Sequence, residues 1–140
     1  MQHVPIIIDL DSDECRALLG QASIGRVAVS IAGLPAVRTV RFALAESDVV
    51  FRVAPRSRLA RAVTGAVVAF HADHFDESRG RGWTVLVQGR PQMVFDEETR
   101  DRYETLLRWP WSVGSQSDVF FSLPTDLVSG QMVGWRQQDG

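Results

Sequence analysis

Over residues 24–32 the chain alternates, with Val27, Val29 and Ile31 on one face and Arg26, Ala28 and Ser30 on the other. A period of two belongs to a strand covered mainly on one side. Gly33-Leu34-Pro35 predicts a turn. A second strand follows over 36–45, with Arg38, Val40, Phe42 and Leu44 on one face and Val37, Thr39 and Arg41 on the other. The polar connection Glu46-Ser47-Asp48 leads into a third strand over 48–54, which forms a hairpin with the second and stops at Pro55. Residues 66–72 form a nearly continuous apolar run of strand length. Residues 83–95 are the longest strand candidate, with a bend expected where Gly89 and Pro91 interrupt it. Two last strands are expected over 119–123 and 127–135.

Three stretches change to helical spacing. Asp11 and Glu14 have the three-residue separation of a capping box, and Cys15, Leu18 and Leu19 give the helix behind them an apolar face that ends at Gly20. Residues 56–63 predict a short helix with Leu59, Ala62 and Val63 inward. Asp96 caps a third helix to about residue 108, with Tyr103, Leu106 and Leu107 facing the core. Residues 73–82 read as a polar loop and the most mobile segment. The order α-β-β-β-α-β-β-α-β-β, seven strand segments joined by tight turns, predicts an α+β chain, mostly β: a six-stranded antiparallel barrel that closes its own edges, with short flanking helices.

Length and composition narrow the function. At 140 residues the chain fits one domain spanning 1–140, and 45% hydrophobic against 23% charged residues is ordinary for a globular chain. A formal charge of −2 with no basic block argues against a nucleic-acid partner. No apolar stretch reaches the length of a membrane span and no basic region opens a leader, so no membrane role and a cytoplasmic location are expected. A single cysteine fits a reducing compartment. All 15 basic residues are arginine, and lysine and asparagine are both missing. Schiff-base catalysis on lysine, a Walker-A phosphate loop and N-glycosylation are therefore excluded. The same bias points to a GC-rich genome, such as an actinobacterial one.

Few residues suggest chemistry. His71 and His74 with Asp73 and Asp76 lack the convergent spacing of metal ligands, so no metal site is expected. Cys15 reads as a small buried hydrophobe. No catalytic acid, base or nucleophile stands out. The informative segment is 34–63, where Arg38, Arg41, Arg52, Arg56 and Arg58 fall within 21 residues of a hairpin and the helix after it. Guanidinium forks and the Ser57 hydroxyl would suit a phosphate. From charge pattern alone, the same arginines better suit the solvated faces of amphipathic strands.

These segments resemble the FMN-binding split-barrel proteins related to pyridoxamine 5′-phosphate oxidase. The resemblance covers roughly residues 10–135 and rests on Gly25-Arg26-Val27-Ala28-Val29, Pro35-Ala36-Val37-Arg38-Thr39-Val40, Val49-Val50-Phe51-Arg52 with Ser57-Arg58-Leu59, and the run over 82–89 beginning Gly82-Trp83-Thr84. It implies a split β-barrel that binds FMN and an oxidoreductase acting on a small-molecule substrate by hydride transfer through flavin N5. The strand carrying Arg38, Thr39, Val40 and Arg41 would run beside the isoalloxazine ring, with Arg38 approaching the phosphate. Arg52, Val53, Ser57 and Arg58 would complete the phosphate and ribityl site. Thr84 would bond the pyrimidine edge beside Trp83. The family is homodimeric with the cofactor at the subunit interface, so Trp109, Trp111, Gly130, Gln131 and Trp135 would reach the partner's cofactor.

Several positions depart from the pattern. Val53 stands where many members have threonine, and Arg58 where many have lysine. Ala43 replaces the substrate-binding lysine of the true oxidase, and no histidine follows His74, which argues against oxidation of pyridoxamine phosphate. Two other readings follow from the resemblance. One is a reductase or binding protein for the deazaflavin F420, with Arg56, Arg61, Arg79 and Arg81 meeting its longer acidic tail. The other is a non-catalytic flavin-binding module, favoured by Val53 and Gln131.

Overall fold

The computed structural model describes residues 2–107 and 118–138. Its elements are β1 (Gln2–Leu10), α1 (Ser12–Leu19), β2 (Ile24–Ile31), β3 (Leu34–Ala45), β4 (Asp48–Val53), α2 (Arg58–Val63), β5 (Val68–Asp76), β6 (Arg81–Gly89), β7 (Gln92–Met93), α3 (Glu97–Leu106), β8 (Val119–Pro124) and β9 (Leu127–Gln138). The strands form one sheet in the order β1-β9-β6-β5-β2-β3-β4-β8-β7, with antiparallel pairing at each junction.

The antiparallel plan with short helices follows the expectation, but the described residues form nine strands, against seven strand segments read along the chain and six in the expected barrel. The added first strand carries Pro5 and Asp9 beside Ile6–Ile8 and is held along its length by β9. Residues 73–82 are not a loop. β5 continues to Asp76 and β6 starts at Arg81, leaving a four-residue turn. Their polar side chains suit a hairpin end that is open to solvent. The bend at Gly89 and Pro91 is present as the break between β6 and β7.

Alternation along the strands builds the interior. Val27, Val40, Phe42, Val49, Phe51, Phe70, Val85, Phe121 and Leu123 form the main core, with Phe42 set edge-on to Phe70 and Phe51 stacked on Phe121. α1 closes one side of it. Asp11 accepts the Glu14 amide at 2.8 Å while the Glu14 carboxylate accepts the Asp11 amide, the capping box read from the sequence. Cys15 and Leu19 are buried under α1, and a Cβ on Gly130 of β9 would lie 2.8 Å from Cys15 Sγ, so the helix seats only because residue 130 has no side chain. A smaller cluster of Val50, Tyr103, Leu107 and Phe120 lies under α3. Leu106, expected inward, is 42% exposed.

Candidate functional site

β3 has two unlike halves. Residues 42–45 pair with β4, from Phe42↔Phe51 to Ala45↔Asp48. Residues 34–41 pair with β2 alone among the described residues. The second edge of that half therefore carries no ladder bonds, and alternate backbone amides and carbonyls there are available to something else. The sequence marks this edge with Pro35, which cannot donate to a ladder and is tolerated in a strand at an open edge. The hairpin into β3 turns through Ala32 and Gly33, both at positive φ, as a two-residue turn requires.

The cations around this edge are mostly unengaged. Arg38 sits opposite Val27, is exposed, and bonds only to the Val37 carbonyl at 3.1 Å. Arg56, Arg58 and Arg61 have no polar partner among the described residues. Arg58 and Arg61 line a groove of about 460 Å³ with Ser30, Ile31 and Ala32 at the end of β2. Ser57 caps α2 by accepting the Ala60 amide at 3.0 Å, which leaves its hydroxyl proton to donate. Val53 is buried at the end of β4. Arg41 lies on the opposite face, half-buried, and bonds to the Ser23 carbonyl at 3.2 Å. Burial pushes its pKa down from the usual guanidinium value.

Arg52 is placed differently. On β4 it points away from the core face that Val53 shares. Its Nε bonds to Asp118 at 2.9 Å, a terminal nitrogen bonds to Glu104 at 3.1 Å, and its guanidinium lies over the Phe120 ring. It is 8% exposed and serves as an internal tie between β4, α3 and the start of β8.

Across the sheet, register assembles a polar row on one face. Asp9 pairs with Gln131, Gln131 with Thr84, and Thr84 with Asp73. The Gln131 amide donates to Asp9 at 3.2 Å, and Arg26, paired with Thr39, reaches Asp73 at 3.1 Å. Thr84, Gln131 and Thr39 therefore share a face. Asp9, Asp73 and Arg26 complete that face and were missed, since each joins it through a partner distant in sequence. Trp83 is on the other face, 7% exposed, and walls a slot of about 400 Å³ with Gln21, Ser23, Asp73 and His74. The slot opens where β2 and β5 part, their pairing covering only residues 26–28 and 69–71. Trp109 and Trp111 lie outside the described residues. Trp135 rests against Gly80 of the β5–β6 turn, and Arg79 and Arg81 lie at this same end of the sheet. No helix among the described residues is long and apolar enough to cross a membrane.

The chain has relatives in sequence and in fold. An uncharacterized protein of Mycobacterium tuberculosis, Rv0080, is 35% identical over 129 residues, covering 89% of this chain and 84% of that protein. The FAD binding protein of Mycobacterium smegmatis superposes with a TM-score of 0.71 at 23% identity, covering 91% of this chain and 98% of that one. An FAD-binding protein of Mesorhizobium loti superposes with a TM-score of 0.73 at 22% identity, with the same coverage of 91% and 98%. The fold is the split barrel of these proteins. Residues 11–132 match the pyridoxamine 5′-phosphate oxidase family across nearly the whole sheet, and the chain belongs to that family.

Proposed function

We propose that the chain binds a flavin, FMN in the first instance, and acts as a homodimeric oxidoreductase on a small-molecule substrate. The observation that carries this reading is the half-paired strand β3 with unengaged guanidinium groups beside it. A flavin brings flat polar edges that need backbone donors and acceptors, and a phosphate that needs cations. Arg38, Arg58 and the Ser57 hydroxyl would hold the phosphate, the free edge of residues 34–41 would meet the ring, and Thr84 with Gln131 would meet its pyrimidine edge. The flavin would supply two-electron hydride chemistry, and the protein binds, orients and excludes water. Two fold neighbours are FAD-binding proteins, which supports the cofactor class.

Position 43 argues against pyridoxamine phosphate as substrate. Ala43 pairs with Val50 and packs on the cluster under α3, on the covered side of β4. A second cofactor reading has its own support. The groove between Arg58, Arg61 and the end of β2 offers space and charge beyond one phosphate, as FAD or F420 would need.

The absorption spectrum of the purified protein, with mass analysis of any released chromophore, tests the reading. Bound FMN, or micromolar uptake of it on titration, is expected. A colourless protein that takes up neither FMN, FAD nor F420 would overturn it. Light scattering should give a dimer, with the polar face of Thr39, Arg26, Thr84 and Gln131 and the exposed Val37 at its interface. A strict monomer at micromolar concentration would contradict the shared site, and turnover-dependent hydride transfer separates catalysis from simple binding.

A further inference from the structure

At the end of the sheet away from Arg58, β1, β9 and β6 run on past the part covered by α1. Here the face that forms the core elsewhere is left open. Ile8 and Met132, directly paired, are 56% and 39% exposed. One residue pair further out, Ile6 pairs with Gly134 and Gly134 with Arg81. Glycine therefore occupies the place between an isoleucine and an arginine. A Cβ at 134 would stand 3.2 Å from Arg81 Cβ and 3.3 Å from the Gly80 carbonyl oxygen, so a side chain there would crowd the groove. The result is a groove of about 510 Å³ with Ile6, Ile8 and Met132 on one side, Arg79 and Arg81 on the other, and Trp135 at its end.

The charges in the groove do not cancel. Arg81 has no polar partner among the described residues. Arg79 meets Asp76 through Nε at 3.6 Å, an exposed contact that leaves its terminal nitrogens to donate elsewhere. An apolar groove of this volume with a few convergent polar groups has the character of a small-molecule site. Two guanidiniums select a carboxylate, and the apolar floor of Ile6, Ile8 and Met132 beside them selects an apolar ring.

We propose that this groove is a second ligand site, separate from the β3 edge, and that it takes a flat aromatic carboxylate. The carboxylate lies between Arg79 and Arg81, and the ring lies on Ile8 and Met132. The site does not depend on a flavin being bound.

Calorimetric titration with 2-naphthoate and with the uncharged 2-naphthalenemethanol tests the proposal. Micromolar binding of the acid is expected, at least tenfold tighter than the alcohol. The Arg79→Ala/Arg81→Ala double variant should lose at least tenfold for the acid and little for the alcohol. Met132→Asp should abolish binding of the acid while leaving the circular dichroism spectrum unchanged, and Arg58→Ala should leave it intact. No heat up to millimolar 2-naphthoate, equal affinity for acid and alcohol, or indifference to the double arginine variant would each overturn the site. Loss of binding in Arg58→Ala would place the ligand at the β3 edge and overturn it as well.

Discussion

Arg52 and Arg58 are six residues apart and carry the same group, yet they occupy opposite situations. Arg52 is buried, with one carboxylate on its Nε, another on a terminal nitrogen and a ring beneath its plane. Arg58 is exposed and meets no acid among the described residues. A guanidinium whose donors are already taken is part of the scaffold. One left open at the rim of a groove can bind an anion. Charge density along a sequence does not separate the two, and the acids that do separate them lie on other elements.

The largest effect should come from breaking the buried site. Asp118→Ala would leave the buried Arg52 charge with only the half-exposed Glu104 as its acid, with an expected loss of about 3–5 kcal/mol in chemical denaturation. A loss below about 1 kcal/mol would mean that water reaches the pair and that the contrast with Arg58 is overdrawn. Arg58→Ala should do the reverse. Stability should stay within about 0.5 kcal/mol, while flavin affinity measured by fluorescence quenching falls by about 1.5–3 kcal/mol. Unchanged affinity would remove Arg58 from the phosphate site.

Smaller effects sharpen the boundary. Glu104, the half-exposed partner of Arg52, is screened by solvent, so Glu104→Gln should cost only about 0.2–1 kcal/mol in the same denaturation assay. α3, which carries Glu104, begins at Asp96, whose carboxylate accepts the Thr99 hydroxyl at 2.6 Å and its amide at 2.9 Å. These bonds hold its pKa below the ordinary 3.8. A depressed carboxyl stabilises the fold fully above its unfolded value, and that contribution is lost as pH falls through the folded value. The gap in melting temperature between wild type and Asp96→Ala should therefore be constant near neutrality and close below about pH 4. A gap that persists to pH 2 would show that the charge plays no part.

Local patterns were legible where partners are near in sequence. The capping box at Asp11 and Glu14, the alternation along β2 and the hairpin of β3 and β4 were all readable this way. The missed features share one cause. β1 owes its strand character to β9, more than a hundred residues later, and its own run of three isoleucines flanked by Pro5 and Asp9 carries little signal. Residues 73–82 looked like a loop because their side chains are polar, but polar side chains are what the solvent-facing end of a hairpin carries. Arg52 looked like a phosphate ligand because its neighbours in sequence are arginines, whereas Asp118 is 66 positions away. Arg38, Ser57 and Arg58 are proposed for the phosphate from a cluster that is local in the sequence. The row of Asp9, Gln131, Thr84 and Asp73 required the register of four strands.

The packing of Cys15 gives this molecule a built-in clock. Its thiol is fully covered beneath α1 against Gly130, and burial together with Asp11 and Glu14 pushes its pKa up. A thiol reagent can reach it only after the helix has swung off β9, and with one cysteine in the chain every labelling event reports that single opening. The rate of alkylation, followed without any introduced probe, thus reads how often the first helix leaves the barrel, with or without a ligand bound elsewhere.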